Sequence, residues 1–194
     1  KRRYLKVHSP YADETSSYQV VQAMVAAPKA GWVSPGVEWI SHVDQFPLDV
    51  DWGIRFTVTG ADEVKRRNKK AETDLEEQYK HQEGTATITG GGSDLGEIAE
   101  TLAAYHASLN RSDKEVEVQA TVLFAVGADT ADLAKAKGRF VADEYKRADF
   151  LLEAPLGGQE ELWWAMIPGT PTERIVRELT QITTGREFAT GVPL

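Results

Sequence analysis

The chain has 194 residues, of which 30 are acidic and 22 are basic, so its formal net charge at neutral pH is −8. This acidic balance disfavours nonspecific nucleic-acid binding, which depends on neutralising phosphates with lysine and arginine. Cysteine is absent, which excludes disulfides, cysteine nucleophiles and zinc sites built from thiolates. No apolar run approaches the roughly 18 to 20 residues that a membrane-spanning helix needs.

Four segments have the composition or the alternation that is typical of β-strands. Residues 18–27 are rich in valine and end before a proline, and residues 115–126 pass from alternating to fully apolar positions. Residues 149–153 are a shorter candidate. Residues 51–59 alternate clearly, so we expect a half-buried strand with Trp52 on its buried face.

Four further segments are predicted to be helical. Residues 61–82 carry acid–base pairs four residues apart, and residues 94–110 repeat apolar side chains at alternating spacings of three and four. We expect these two helices to form an antiparallel hairpin over residues 61–110, which projects from the domain. Residues 129–146 predict an amphipathic helix, and residues 171–181 predict a shorter one.

Together these elements predict an α+β fold, with a mixed, largely antiparallel sheet, packed helices and a protruding helical hairpin. The length allows one sizeable core or two small ones, and we expect residues 1–194 to form a single domain. The chain begins at Lys1 rather than at methionine, so we expect it to be part of a longer protein.

Sequence motifs for catalysis are missing from the chain. The glycines at 90–92 are not followed by the lysine and the serine or threonine of a phosphate loop. The four histidines lack metalloprotease spacing, and no Gly-x-Ser-x-Gly motif is present. We therefore expect no enzyme activity and no catalytic, cofactor-binding or metal site here. Two alternatives stay open: a hydrolase with an unlocated carboxylate pair, and a carbohydrate-binding module built on tryptophans.

Two adjacent tryptophans stand shortly before an Ile-Pro-Gly turn. Neighbouring side chains diverge in a helix or a strand, so we expect one tryptophan to pack inward and the other to remain available to a partner. The segment offers packing and docking surface rather than chemistry. The candidate docking residues are Trp163, Trp164, Ile167, Pro168, Val192 and Leu194.

The order of several segments resembles the N-terminal domain of the VirB/TrbE/CagE type of conjugation and type IV secretion ATPases. The resemblance includes Phe46–Arg55, the long charged helical region, Leu162–Gly169 and residues 185–194. In that family an aromatic segment with a Leu-Pro-Gly-like turn and an Ala-x-x-x-Pro-Leu/Phe ending lead into the ATPase core. The likeness covers residues 18–194 and looks closest to the versions in conjugative elements of Gram-positive bacteria.

The resemblance implies a non-catalytic domain that docks and assembles a conjugative-transfer motor. The family's phosphate loop, with ATP and Mg²⁺, would lie in a C-terminal domain that starts just after Leu194, and residues 159–194 would lead into it. The implied partners are that ATPase domain, inner-membrane secretion-channel subunits and a second copy of the chain, without direct nucleic-acid binding. The implied location is cytoplasmic, peripheral to the inner face of the cytoplasmic membrane.

Overall fold

A computed structural model describes residues 2–8, 16–28, 39–69, 73, 103–109 and 115–191. The chain divides into two compact units. The first contains residues 1–57, 119–183 and 187–194, and the second contains residues 58–118 and 184–186.

The described residues have the predicted α+β fold with a mostly antiparallel sheet. The strands are β1 Leu5–His8, β2 Ser16–Ala26, β3 Asp51–Gly60, β4 Val116–Ala128, β5 Leu151–Glu153 and β6 Gln181–Thr184. The helices are α1 and α2, described over residues 61–69 and 103–109, α3 Ala131–Lys146, α4 Gln159–Ala165, α5 Arg174–Glu178 and α6 Gly185–Ala189, and a 3-10 helix spans Ser41–Gln45. Within this part of the chain, no helix combines the length and the apolar character needed to cross a membrane.

The six strands form one sheet around β2 and β4. The order is β1-β2-β4-β3, with β5 paired to β2 and β6 paired to β4. Gln19 pairs with both β1 and β4, and Ala23 pairs with both β5 and β4. Because a strand has two edges, β1 and β5 lie one after the other along the edge of β2 that faces away from β4.

One face of the central strands packs against α3 through aromatic rings. The rings of Phe124 and Tyr145 lie 4.8 Å apart, and the Tyr145 hydroxyl donates a hydrogen bond of 2.8 Å to the carbonyl of the fully buried Trp39. Gly138 lets α3 approach β2 closely, since a Cβ there would lie 3.1 Å from the Val20 side chain. The close packing of α3 on this face of the sheet therefore depends on the small residue Gly138 among large side chains.

The opposite face packs against α4 and α5. The alternation of a strand sends neighbouring residues to opposite faces, so odd-numbered positions of β2 and β4 form this second core. Its buried residues are Val21, Ala23, Leu123, Ala125, Leu162, Ala165 and Val176. The Thr121 hydroxyl, 2.9 Å from that of Thr180 and 3.1 Å from the Val176 carbonyl, ties the end of α5 to β4.

The second unit contains a buried carboxylate that joins its two helices to β4. Glu117 is fully buried and accepts hydrogen bonds of 2.6 Å from Arg67 and 2.5 Å from Tyr105. This pairing raises the pKa of Arg67 above its ordinary value. The Asn68 and His106 side chains meet at 3.0 Å. A buried charge is tolerated only with such partners, so Glu117 specifies how α1 and α2 pack within this unit.

The remainder of the predicted hairpin over residues 61–110 lies outside the described residues, as do its glycine tip at 90–92 and most of both predicted helices. The described parts of α1 and α2 are helical, as predicted for residues 61–82 and 94–110.

Two predictions from the sequence are wrong. Trp52 is 46% exposed rather than buried, and Phe56 and Val58 on the same face of β3 are exposed as well, because alternation does not reveal whether other elements cover that face. The predicted helix at 171–181 is confined to Arg174–Glu178, and β6 follows it. The β-branched residues of β6 favour an extended backbone, which ends the helix.

The stability of the protein should decrease at high pH because of Tyr145. Burial, with a smaller contribution from Asp44, raises the pKa of this phenol above its ordinary value. The folded form therefore holds the proton more tightly than the unfolded chain, whose tyrosines titrate near pH ~10. This contribution to stability is complete below that pH and is lost as the pH rises above it.

Substitution of Tyr145→Phe tests this expectation. The variant should lose about 1 kcal/mol at neutral pH, the usual value of one hydrogen bond. Its stability relative to the wild type should then improve steadily above pH ~10. Urea unfolding at a series of pH values, from neutral to strongly alkaline, measures both effects. If the unfolding free energies of the two proteins depend on pH in the same way, the pH dependence does not come from Tyr145.

Candidate functional site

The helix that carries the tryptophan pair is attached to the sheet by its first residue. The Gln159 side chain accepts a hydrogen bond of 2.9 Å from the Val21 amide and donates one of 2.8 Å to the Val21 carbonyl. The pairing of β2 with β1 ends at Gln19, and its pairing with β5 begins at Ala23. The buried Gln159 amide therefore pairs with the backbone of β2 in the gap between two short strands.

A left-handed glycine precedes α4 and lets α5 pack against its start. Gly158 has φ +71°, which favours glycine over residues with a side chain. A Cβ at this position would also lie 2.2 Å from Cδ1 of Ile175. The beginning of α4 is thus fixed by a side-chain amide on one side and by a close contact with α5 on the other.

The two tryptophans diverge from the surface of α4. Trp163 is partly buried against the second core, and its indole nitrogen donates a hydrogen bond of 2.6 Å to the Gln19 side chain. Trp164 is 47% exposed, and its ring meets that of Trp163 edge to face at 5.0 Å. The expected division into one inward and one outward tryptophan is therefore what the helix produces.

The turn after α4 is closed by its own threonine and by a glycine. Gly169 has φ +83° with open space around it, so the backbone conformation alone favours glycine. The Thr170 hydroxyl lies 2.7 Å from the Trp164 carbonyl and 2.9 Å from the Ile167 carbonyl. These hydrogen bonds add to those that the Ile167 and Thr170 amides donate to the same two carbonyls, and they close the turn after α4.

Arg55 of β3 completes this turn from the sheet. Its guanidinium donates to the carbonyls of Ala165 at 2.6 Å, Thr170 at 2.8 Å and Ile167 at 3.0 Å. It also makes a short hydrogen bond to the Thr170 hydroxyl. The C-terminal end of a helix carries partial negative charge, so a cation there is stabilising as well as geometrically suited. One side chain thus fixes the turn from the end of α4 to Thr170.

The outer side of this turn presents apolar side chains to solvent. Trp164, Ile167 and Pro168 are exposed, Ile167 by 36%, and we call these three residues the docking surface. Two further candidate docking residues, Val192 and Leu194, lie outside the described residues. Trp163 belongs to the core side of α4, where it supports Trp164 rather than facing solvent.

A cleft of about 730 Å³ opens beside the turn. Residues Trp52 to Thr57 line it without interruption, and β4, the turn and α5 supply the other walls. Its fifteen lining residues include two arginines, Arg55 and Arg177, and no aspartate or glutamate. Basic and hydroxyl side chains are thus concentrated here on a chain with a net charge of −8.

The described residues contain no arrangement that favours either alternative function, the hydrolase or the carbohydrate-binding module. Glu117 is the one charged residue buried among them, and it is hydrogen-bonded to Arg67 and Tyr105. None of their histidines, aspartates and glutamates gather into a group that could hold a metal ion. The rings of Trp163 and Trp164 stand at 81° to each other, which is unsuited to a flat sugar-stacking platform.

Sequence reasoning missed the residues that position the site. Gln159 and Arg55 contact backbone atoms that are 138 and 110 residues away in the chain, so local patterns carry no trace of these contacts. One signal was present for Arg55, since it occupies a regular alternate position of a predicted strand, where a long cation can reach across a sheet face.

Comparison with known proteins does not assign the chain to a family. No protein-family model matches the chain, and no curated protein is similar to it in sequence. The resemblance to the conjugation ATPases therefore stays a prediction.

Substitution of Gln159→Leu should destabilise the protein by about 2 to 4 kcal/mol, because it leaves a buried amide and a buried carbonyl of Val21 without partners. The control is Gln45→Leu, at an exposed position, which should change stability by less than about 0.5 kcal/mol. Urea unfolding monitored by circular dichroism measures both losses of stability. Equal losses for the two variants would show that the Gln159 hydrogen bonds do not stabilise the protein.

Removal of the Arg55 guanidinium should loosen the turn that carries the docking surface. We expect Arg55→Met to cost about 2 to 3 kcal/mol in unfolding free energy, since several charge-assisted hydrogen bonds are lost together. Arg174→Met is a matched control, because Arg174 makes an exposed ion pair of 2.6 Å with Glu178. Such pairs contribute about 0.5 kcal/mol or less, so similar losses for both variants would contradict the role of Arg55.

Proposed function

We propose that this chain is a non-catalytic docking and assembly domain of a conjugative-transfer, type IV secretion motor ATPase. The observation that carries the proposal is an exposed tryptophan on a preformed turn, within the segment that resembles the family's lead-in to its ATPase core. ATP and Mg²⁺ are assigned to the motor's separate catalytic domain. In this proposal the chain has no enzyme activity of its own and no direct contact with nucleic acid.

The docking surface has the properties of an interface rather than of a folding core. Tryptophan is enriched at the energetic centres of protein interfaces, because a single rigid ring buries a large area on binding. Trp164 is held in place by its edge-to-face contact with the Trp163 ring, and Ile167 by the hydrogen bond from Arg55 to its carbonyl. A surface that is already ordered loses little conformational entropy when a partner covers it, which favours affinity.

The proposed partners follow from the position of this surface in the chain. Residues 159–194 carry the docking surface, and in the resembled family the corresponding segment leads into the ATPase core. We assign the surface to contact with that ATPase domain or with an inner-membrane channel subunit. The motor would then be held at the inner face of the cytoplasmic membrane through its partners. The same surface could instead join two copies of this chain, so the test must distinguish self-association from binding to a motor partner.

Substitution of Trp164→Ser should leave folding intact and weaken assembly. We expect a stability change within about 0.5 kcal/mol, as for other surface positions. Affinity for the ATPase domain or the channel subunits should fall about tenfold or more, as for interface residues of this kind. Trp163→Ser should instead destabilise the chain by about 2 kcal/mol or more, because it removes packing against the core.

The matched control is Leu156→Ser, which removes another large exposed apolar side chain, 59% accessible, from a different part of the chain. Binding is measured by surface plasmon resonance against the purified partners, and self-association by analytical ultracentrifugation. If Trp164→Ser and Leu156→Ser bind the partners as tightly as the wild type, the docking assignment is wrong. If Trp164→Ser changes self-association alone, the surface joins copies of this chain.

A further inference from the structure

A cavity of about 610 Å³ lies between α3 and the sheet, on the face opposite to α4. It is lined by Val20 and Gln22 of β2, by one side of α3 and by residues 152–156, and we call it the α3 cavity. Val20 and Gln22 belong to the part of β2 at the gap between β1 and β5. Small-molecule sites have volumes of about 300 to 1,000 Å³, so the α3 cavity is large enough for a compact ligand.

The Gln22 side chain places a polar group at the bottom of the α3 cavity. The residue is 6% exposed, and within the described part of the chain its side-chain amide makes no hydrogen bond. The amide atoms are nevertheless not sealed inside the protein. The amide nitrogen lies 3.7 Å from the position that a Cβ of Gly138 would take, and Gly138 also lines the cavity. The amide therefore offers donors and an acceptor to an occupant of the cavity.

A second glutamine shows that the fold does not need the Gln22 amide. Gln159 approaches the same gap from the α4 face and binds both the amide and the carbonyl of Val21. The backbone of Gln22 pairs with Phe124 of β4. The backbone of β2 at the gap is thus satisfied without the Gln22 side chain. Burial of an amide without partners costs stability, and such groups are matched by a ligand or by water.

Two opposite charges stand side by side on the α3 wall of the cavity. Arg139 and Asp143 are four residues apart, so their Cβ atoms are about 5 to 6 Å apart on one side of the helix. Both are exposed and line the cavity, yet neither forms an ion pair or a side-chain hydrogen bond with any residue that the structure describes. At the end of the same helix, Arg147 and Glu144 do form an ion pair, of 2.7 Å. The α3 wall therefore offers a cation and an anion to a ligand that carries both charges.

We propose that the α3 cavity binds a free α-amino acid whose side chain ends in a carboxamide, with glutamine as the model ligand. The ammonium and the carboxylate of an amino acid are bonded to one carbon, so they require opposite charges side by side, which Asp143 and Arg139 provide. The carboxamide reaches Gln22 and can both donate to and accept from its amide. The methylene groups between them pack on Val20 and Leu152, which also line the cavity.

The bottom of the cavity favours a carboxamide over side chains of similar size. The thioether of methionine would leave the Gln22 amide without hydrogen bonds, and a site built to hydrogen-bond its ligand rejects analogues that lack the group. The carboxylate of glutamate accepts but does not donate, so the Gln22 carbonyl oxygen would face an anion. A phosphate compound is disfavoured by the carboxylates of Asp143 and Glu153 among the lining residues.

NMR titration of the isotope-labelled chain with L-glutamine, L-glutamate and L-methionine tests the proposal. We expect glutamine to bind about tenfold more tightly than either of the other two, since a pair of hydrogen bonds is at stake. The resonances of the Gln22 side-chain amide and of the Gly138 backbone amide should shift during the titration, because both residues line the cavity.

Substitution of Gln22→Met separates recognition from folding. The free energy of unfolding should be equal to that of the wild type or higher, because the lost amide has no partner in the described ranges. The affinity for glutamine should fall to that for methionine. Arg139→Gln and Asp143→Asn should each weaken all three amino acids about tenfold. Arg147→Gln is the matched control and should change no affinity, since it removes an exposed arginine at the end of α3 that does not line the cavity.

Equal affinity for the three amino acids, or a preference for glutamine that survives Gln22→Met, would overturn the proposal. So would the absence of binding to all three, because the Gln22 amide would then be matched by water alone. A loss of stability in Gln22→Met as large as that in Gln159→Leu would show that Gln22 has a structural role instead.

This titration is independent of the proposed docking function. It needs no motor component, and neither Trp164 nor Ile167 lines the α3 cavity. Amino-acid binding without any effect of Trp164→Ser on assembly would refute the docking function and support the cavity. The reverse result would refute the cavity and leave the docking surface in place.

Discussion

The contact between the Arg55 guanidinium and the carbonyls after α4 is the constraint on which the site depends. A helix of seven residues ends at Ala165, and its last carbonyls have no partners within the helix. A single cation from β3 binds three carbonyls of this turn, at Ala165, Ile167 and Thr170. The turn is therefore positioned by the sheet rather than by the short helix itself, and Ile167 and Pro168 are held on its outer side.

The sheet can serve as this support because both of its faces are covered by well-packed layers. α3 and its aromatic partners occupy one face, and α4 with α5 occupies the other. Gln159 joins α4 to the β2 backbone at the gap between β1 and β5, where a strand edge would otherwise be left without partners. A docking surface built on such fixed elements is preorganised, so binding energy is not consumed in ordering it.

Patterns in the sequence were sufficient for four of the six strands, β2 to β5, and for the long helix α3. Alternation and β-branched runs predicted β2, β3 and β4, and amphipathic spacing predicted α3, because these signals follow from local backbone geometry. The exposure of Trp52 was not predictable, since it depends on which elements cover its face of β3. Arg55 and Gln159 were not found either, because their partners are backbone atoms far away in the chain. Hydrogen bonds of that kind leave no periodic trace in the sequence.

The positions of the two tryptophan rings depend on both local helix geometry and tertiary packing. Helical spacing alone required the two rings to point in different directions. Only the fold decided which ring enters the core, since Trp163 finds Gln19 and the second core while Trp164 does not. The outward ring is consequently supported from behind by the inward one.

Hydrogen–deuterium exchange of the segment from α4 to Thr170 tests most directly whether this turn is a preformed docking surface of a motor. In the chain alone, the amides of Ile167 and Thr170 should already exchange slowly, because each donates to a carbonyl of the turn. If the proposed function is right, addition of the motor's ATPase domain or channel subunits should increase protection of the amides from Trp164 to Ile167. Rapid exchange through the turn in the free chain, with no change on assembly, would contradict the account.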